Sequence, residues 1–320
     1  MAVGQRKRPL CLLLMLVIYT FNLYIGYSYY WEENITVIDA IRMQTSLFSR
    51  KSKDILKVDV YFENHVSSCT ADMVTTIAIG CGITSKGVEN VDTDNIAAKF
   101  QLFNSLLPTF CKTATPGYNY RFYIAYDFTD PVFTDPLMLD AFKKAFINET
   151  RCLCDEPRNI KSSLHMVQCI HSKKPTWAQN AAMMEAYLDH VDYYYRVNDD
   201  TEMDTDGWLE AFITTLKQYN PPHVGVVGPN HTGGNTNILT YDFVHRTHVD
   251  IFGFYYPRIF YSWWADAWIT AVYKPNHFTK LNNIGLTHTI ALGQRYENPS
   301  RNVVKLSIIQ LKRDKEILNW

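Results

Sequence analysis

The sequence predicts an α/β fold with a mostly parallel central sheet flanked by helices, preceded by an N-terminal transmembrane helix. Three observations carry this reading. Apolar, β-branched runs alternate with amphipathic helical segments from about residue 73 to residue 229; turn or acidic residues follow the runs where they end; and a basic triplet followed by a long apolar stretch opens the chain. At 320 residues, 47% hydrophobic and 20% charged, the chain can bury a full-sized core. Its formal net charge of -1 argues against a nucleic-acid partner, because neutralising phosphates needs a surplus of Lys and Arg on one face.

Taken in order, Arg6, Lys7 and Arg8 precede an apolar run from Leu10 to Trp31, long enough for a helix to cross a bilayer. The run leaves through Tyr27, Tyr29, Tyr30 and Trp31, which read as an interfacial aromatic belt rather than a cleavage site, so an uncleaved signal anchor is expected. Residues 1–9 then form a cytoplasmic tail, 10–31 the span, and the rest is lumenal, in the Golgi or endoplasmic reticulum. Sequons at Asn34, Asn148 and Asn230 agree with that side of the membrane. So does the even set Cys69, Cys81, Cys111, Cys152, Cys154 and Cys169, expected as disulfides or buried thiols with the pairing open. Residues 32–70 read as a stem, in which Ile55 to Phe62 could add a strand.

Regular alternation starts with a strand over Met73 to Gly80, a loop containing Gly80 and Gly82, and a helix with Ile96, Phe100, Phe103 and Leu107 on one side. A second strand, Arg121 to Tyr126, leads to Asp127; Asp135 and Pro136 read as N-cap and first-turn proline of the next helix. Leu164 to Ile170 is the third strand, and Thr176 to Gln179 has the form of a capping box opening another helix. Tyr193 to Val197 is the fourth strand, followed by a helix with Trp208, Phe212 and Leu216 and a fifth strand, Val224 to Val227. From Asn230 to about residue 300 the alternation stops, and an aromatic, His-rich and Gly-rich segment suggests a substrate-shaping half rather than further sheet. Residues 301–320 form a C-terminal segment.

Ligands of such sheets gather outside the carboxyl ends of the strands. There the fourth strand delivers Asn198-Asp199-Asp200-Thr201-Glu202, a concentration of hard oxygen ligands that suits Mn or Mg sharing its shell with diphosphate oxygens. A surface turn is the alternative reading of a short acidic run. The layout from about residue 73 to 296 resembles the GT-A glycosyltransferases: a Rossmann-like nucleotide-binding half (71–229), an apolar strand ending in a D-x-D or D-D, then an acceptor-binding half (230–300). Asn198 stands where many members have their first Asp.

The resemblance implies roles for residues of this sequence. Asp200, Glu202 and His288 become candidate metal ligands, with His245 and His248 as second choices for the histidine. Thr84, Asp127, Asn180, Asp199 and Arg295 become candidate contacts to the nucleotide-sugar. Asp266, set among Trp263, Trp264 and Trp268, is the candidate base, with Trp263 and Trp264 as an aromatic platform for the acceptor sugar. The loop Gly228 to Asn237 has the glycines of a flap. The expected activity is metal-dependent, inverting transfer from a UDP-linked hexose or N-acetylhexosamine to a hydroxyl of a glycan or glycoprotein. A membrane-anchored, lectin-like protein that binds sugar without chemistry is the alternative.

Overall fold

A computed structural model describes residues 74–154, 160–289 and 301–318. The expected span, the stem with its candidate strand, and Arg295 lie outside the described residues, among which no helix is long and apolar enough to cross a membrane.

Four strands, β1 (Thr76–Ile83), β2 (Asn119–Asp127), β3 (Lys161–Cys169) and β4 (Tyr193–Arg196), run parallel in the order β3-β2-β1-β4. The link from β1 to β2 holds α1 (Ile96–Lys99), a π-helical turn (Leu102–Leu106) and α2 (Leu107–Thr113). That from β2 to β3 holds α3 (Pro136–Glu149) and α4 (Arg151–Cys154), and α5 (Pro175–Leu188) joins β3 to β4. Beyond lie β5 (Thr201–Met203), α6 (Trp208–Gln218), β6 (Val226–His231), β7 (Phe243–His245), α7 (Thr247–Phe252), α8 (Ala265–Tyr273), β8 (Phe278–His288) and α9 (Arg301–Leu318).

The complete sheet is mixed, in the order β3-β2-β1-β4-β7-β6-β8-β5. β7 runs antiparallel to both β4 and β6, β8 is parallel to β6, and β5 is antiparallel to β8. The expected parallel arrangement therefore describes one half of the sheet. The segment after Asn230, expected to add no sheet, supplies β7 and β8; their short or polar runs lack the apolar repeat by which the earlier strands are recognised.

Side-chain alternation along β1 divides the core into two layers. Ile77, Ile79, Cys81 and Ile83 pack with Phe103, Phe110, Phe142 and Trp208 on one face, whereas Ala78 joins Ala182, Met183 and Tyr194 on the other. Gly80 and Gly82 lie inside β1 rather than in a following loop. A Cβ at Gly80 would meet Met183 Cε at 2.5 Å, so the glycine lets α5 lie close to the sheet. β4 is covered on both faces, which is why all of Tyr193-Tyr194-Tyr195-Arg196 is buried.

Asp135 caps α3 by accepting the N–H groups of Leu137 and Met138, with Pro136 at the first helical position. The capping box expected at Thr176 does not form. α5 begins one residue earlier, at Pro175, and the Thr176 N–H donates instead to Tyr261 O. The helix expected through Leu107 breaks at Phe100, which is extended, and resumes through the π-helical turn. Cys111 and Cys152 form a disulfide tying α2 to α4, while Cys81 and Cys169 are buried free thiols.

Candidate active site

The connection from β1 leads to β2 on one side, and that from β3 returns to β4 on the other. This reversal leaves a crevice at the carboxyl ends of β1 and β4. The Val197 N–H bonds Gly80 O, and the chain then turns, with Thr201 Oγ1 donating to Asn198 O and Arg196 Nη1 donating to Asn198 Oδ1 at 3.1 Å. Asn198 thus faces back to Arg196, and Asp199 and Asp200 fill the turn at 4% and 6% exposure. Burial, with the charges of Asp199 and Asp200 adding to it, pushes the Cys81 thiol well up, so this cysteine stays protonated and inert.

β5 pairs with β8 so that Thr201 stands opposite His288. The pairing brings His288 Nε2 to 3.2 Å from Asp200 Oδ1, while the Thr289 N–H binds Asp200 O. His288, expected in a loop, is therefore the last residue of a strand, and the register aims it. Glu202 stands opposite Thr287, on the other face of the two-stranded ribbon from His288, with Oε1 3.5 Å from Thr289 Oγ1. That placement separates it from the Asp200–His288 pair. Gly233, in the expected flap, lies over His288: a Cβ there would sit 3.3 Å from His288 Cβ.

His245 and His248, the alternatives to His288, are elsewhere. His245 pairs with Tyr193 at the amino end of β4, and burial lowers it to about 4. His248 is a buried, neutral hinge between Tyr273 OH and Tyr255 O, also lowered to about 4 by burial.

Beside the crevice, a cavity of about 590 Å³ opens at the carboxyl ends of β1 and β2 and the start of α5, walled by Thr84, Lys86, Asp127, Asp130, Lys174 and Tyr261. Buried Asp130 joins the loops after β1 and β2, accepting from Ser85 N and Ser85 Oγ at 2.7 Å each and from Thr84 Oγ1 at 3.2 Å. Asp127 accepts the Lys173 N–H, and burial raises its carboxyl above the usual range. Asn180 does not line this cavity. Its amide is spent on the Tyr256 backbone, Nδ2 donating to Tyr256 O at 2.7 Å and Oδ1 accepting the Tyr256 N–H at 2.8 Å.

The segment Tyr255 to Asp266 borders that cavity through Tyr261 and ends in the first turn of α8. Tyr261 carries the Lys174 ammonium 4.0 Å from its ring centre, and Trp177 Nε1 donates to Arg258 O. Trp263 and Trp264 follow at 43% and 42% exposure, and Trp264 takes φ 78° at the N-cap of α8. Asp266 occupies the first turn of α8, accepting the Ala267 N–H at 2.8 Å and approached by Thr240 Oγ1 at 3.4 Å. Trp268 is core and donates to Asp314. Burial raises the Tyr241 phenol well above its ordinary range, and the charges of Asp200 and Asp266 add to that rise.

Sequence reasoning missed the network behind the site. Arg196 lies 3.8 Å from fully buried Asp242, whose carboxylate accepts Tyr255 OH at 2.5 Å and Tyr256 OH. Arg196 Nε also donates to Tyr256 OH at 3.0 Å. Burial raises Asp242 to about 6 against the pull of Arg196 and the two tyrosines; burial would lower Arg196, but Tyr256, Asp242 and Asp266 outweigh it and hold it charged. A cation closing an otherwise aromatic strand, Tyr-Tyr-Tyr-Arg, is the signal that pointed to a buried acid.

No family model matches the chain, and no curated protein matches it. Among solved structures, the crystal structure of S. aureus TarS matches at 12% identity and a TM-score of 0.43, over 77% of this chain and 42% of that one, so the chain spans less than half of its length. Likeness at that level carries no functional argument.

Proposed function

We propose that the chain is a metal-dependent glycosyltransferase, moving a sugar from a UDP-linked hexose or N-acetylhexosamine to a hydroxyl of a glycan or glycoprotein, with inversion at the anomeric carbon. The observation that carries this reading is the Asp200–His288 pair, 3.2 Å apart at the carboxyl end of β4 and beside the crevice where strand order reverses. The carboxylate oxygen suits Mn or Mg, and the imidazole nitrogen beside it favours Mn of the two, since Mg takes oxygen ligands. Among the described residues no group of three or more His, Cys, Asp or Glu side chains could hold a metal, so diphosphate oxygens would complete the shell. The bound metal would neutralise the charge that develops on the departing diphosphate.

The remaining work falls to the chain's own side chains. Thr84 and Asp127 line the cavity that receives the nucleotide, and Asp199 lies beside Asp200 to contact the ribose. Trp263 and Trp264 present exposed indole faces to an acceptor ring. Asp266, with one oxygen held by its neighbour's N–H, takes the proton of the incoming hydroxyl. Arg295 is assigned to the diphosphate and Leu10 to Trp31 to a Golgi or endoplasmic reticulum membrane, on sequence alone.

Calorimetry with UDP, in Mn and in chelator, tests the reading. Mn-dependent UDP binding that disappears in Asp200→Ala is expected. Glycan binding with no affinity for UDP would overturn it in favour of a lectin. NMR of the product's anomeric proton decides inversion separately.

A further inference from the structure

We propose that the Arg196–Asp242 pair is a positioning device that ties the acid loop Asn198–Asp200 to the segment Tyr255–Asp266, with Asp242 as the shared anchor. Three stretches distant in sequence meet at this carboxylate. Arg196 brings the end of β4, Asp242 itself precedes β7, and Tyr255 and Tyr256 open the segment that carries Trp263, Trp264 and Asp266. From the same guanidinium, Nη1 reaches Asn198 Oδ1 at 3.1 Å and Nε reaches Tyr256 OH at 3.0 Å. The chain from Asn198 to Arg196 to Asp242 to Tyr255 is therefore continuous, and it is buried from Arg196 onward.

Desolvating a cation and an anion is costly, and packed apolar side chains of similar volume would hold a core as well or better. Directional bonds do what apolar packing does not: they fix where Asn198 points and hence where Asp199 and Asp200 stand. Asn180 restrains the same segment independently, gripping both polar groups of the Tyr256 backbone, so Tyr256 is fixed from two sides. Asp242 touches neither donor nor acceptor in this account. It acts through Arg196 on the acid loop and through two tyrosines on the segment leading to Asp266.

Amide hydrogen exchange on the full chain reads this without any ligand. In Asp242→Asn, amides of Asn198–Glu202 and of Tyr255–Ser262 are expected to exchange at least 10-fold faster, with β1 and β2 unchanged. Tyr256→Phe, which deletes one hydroxyl and serves if Asp242→Asn does not fold, should give the same pattern at smaller amplitude. Unchanged exchange in those two stretches, or uniform acceleration across the whole sheet, overturns the proposal.

A second arm rests on the glycosyltransferase reading. The Mn-dependent affinity for UDP should fall at least 10-fold in Asp242→Asn while the affinity measured in chelator stays within twofold; equal movement of both overturns the positioning role. A wild-type chain with no Mn-dependent UDP affinity refutes the glycosyltransferase reading instead, and the exchange pattern then decides the positioning claim by itself.

Discussion

The two ends of β4 carry similar inventories of acids, histidines and aromatics and use them differently. At the amino end, Asp192 Oδ2 accepts the N–H and the hydroxyl of Thr76 at 2.8 Å each, and its backbone C=O accepts the Arg246 N–H. His223 and His245 meet there with tilted rings whose centres are 4.4 Å apart, both lowered by burial. These polar groups bind neighbouring strands to one another. At the carboxyl end, Asp200 and His288 face each other where β5 pairs with β8, beneath a glycine of the flap and beside a cavity. Residue type does not separate the two regions; strand direction does, because the loops that can close over a ligand converge at the carboxyl ends of parallel strands.

The sharpest break of that comparison is Asp200→Ala. Turnover of the UDP-sugar should drop about 1,000-fold or more, the scale on which charge-stabilising groups contribute, while the melting temperature stays within a few degrees. Wild-type turnover in this variant would remove the carboxyl end from consideration as a site. Next in size, Asp242→Ala leaves buried Arg196 unpaired and should destabilise the fold by about 3–5 kcal/mol in urea titration. Replacing both partners by apolar residues should recover much of that loss, because no uncompensated charge remains.

A pH series sharpens the contrast further. His248, fully buried and lowered to about 4, takes up its proton only below that pH in the folded state, whereas the unfolded chain is protonated below about 6.5. Stability from this group is therefore complete above pH 6.5 and lost as the pH falls towards 4, amounting to about 2 kcal/mol at pH 5. His245 acts in the same direction. Asp242, raised to about 6, opposes them: its share of stability is lost as the pH rises from about 4 to 6. Denaturation at pH 7 and pH 5 should show acid destabilisation that is steeper in Asp242→Asn. The smallest effect is expected of Asp192→Ala. It removes two accepted hydrogen bonds at the amino end and should cost about 1.5 kcal/mol, with activity per folded molecule within twofold of wild type.

β1, β2 and β4 were legible because each is a largely buried run pressed between layers, and burial on both faces writes a continuous signal into the sequence, whereas β3, a half-buried edge strand, shows only the short apolar stretch that starts at Leu164. β5 and β7 were not legible, since three residues each are too few to show a period. β8 was hidden for another reason: it is long, but its middle is exposed, with Asn282 and Asn283 facing solvent. Among the site residues, Asp200 and His288 were identifiable as types and meet only through the pairing of β5 with β8. Asn180 misled for a simple reason: a polar residue in the first turns of a helix can serve a ligand or a neighbouring backbone, and here the backbone of Tyr256 takes both ends of its amide.

The order of strands and helices in the first half, the capped start of α3, and the delivery of acids at the end of a tyrosine-rich strand were all determined by local pattern. Such features depend on residues close in sequence, where spacing and capping chemistry suffice. What only the tertiary structure decided was which way β6, β7 and β8 run, which histidine meets Asp200, and that Arg196, Asp242, Tyr255 and Tyr256 form one buried network. Each of these joins groups tens of residues apart, and the strength of such a contact depends on register and desolvation, neither of which is written at any single position in the chain.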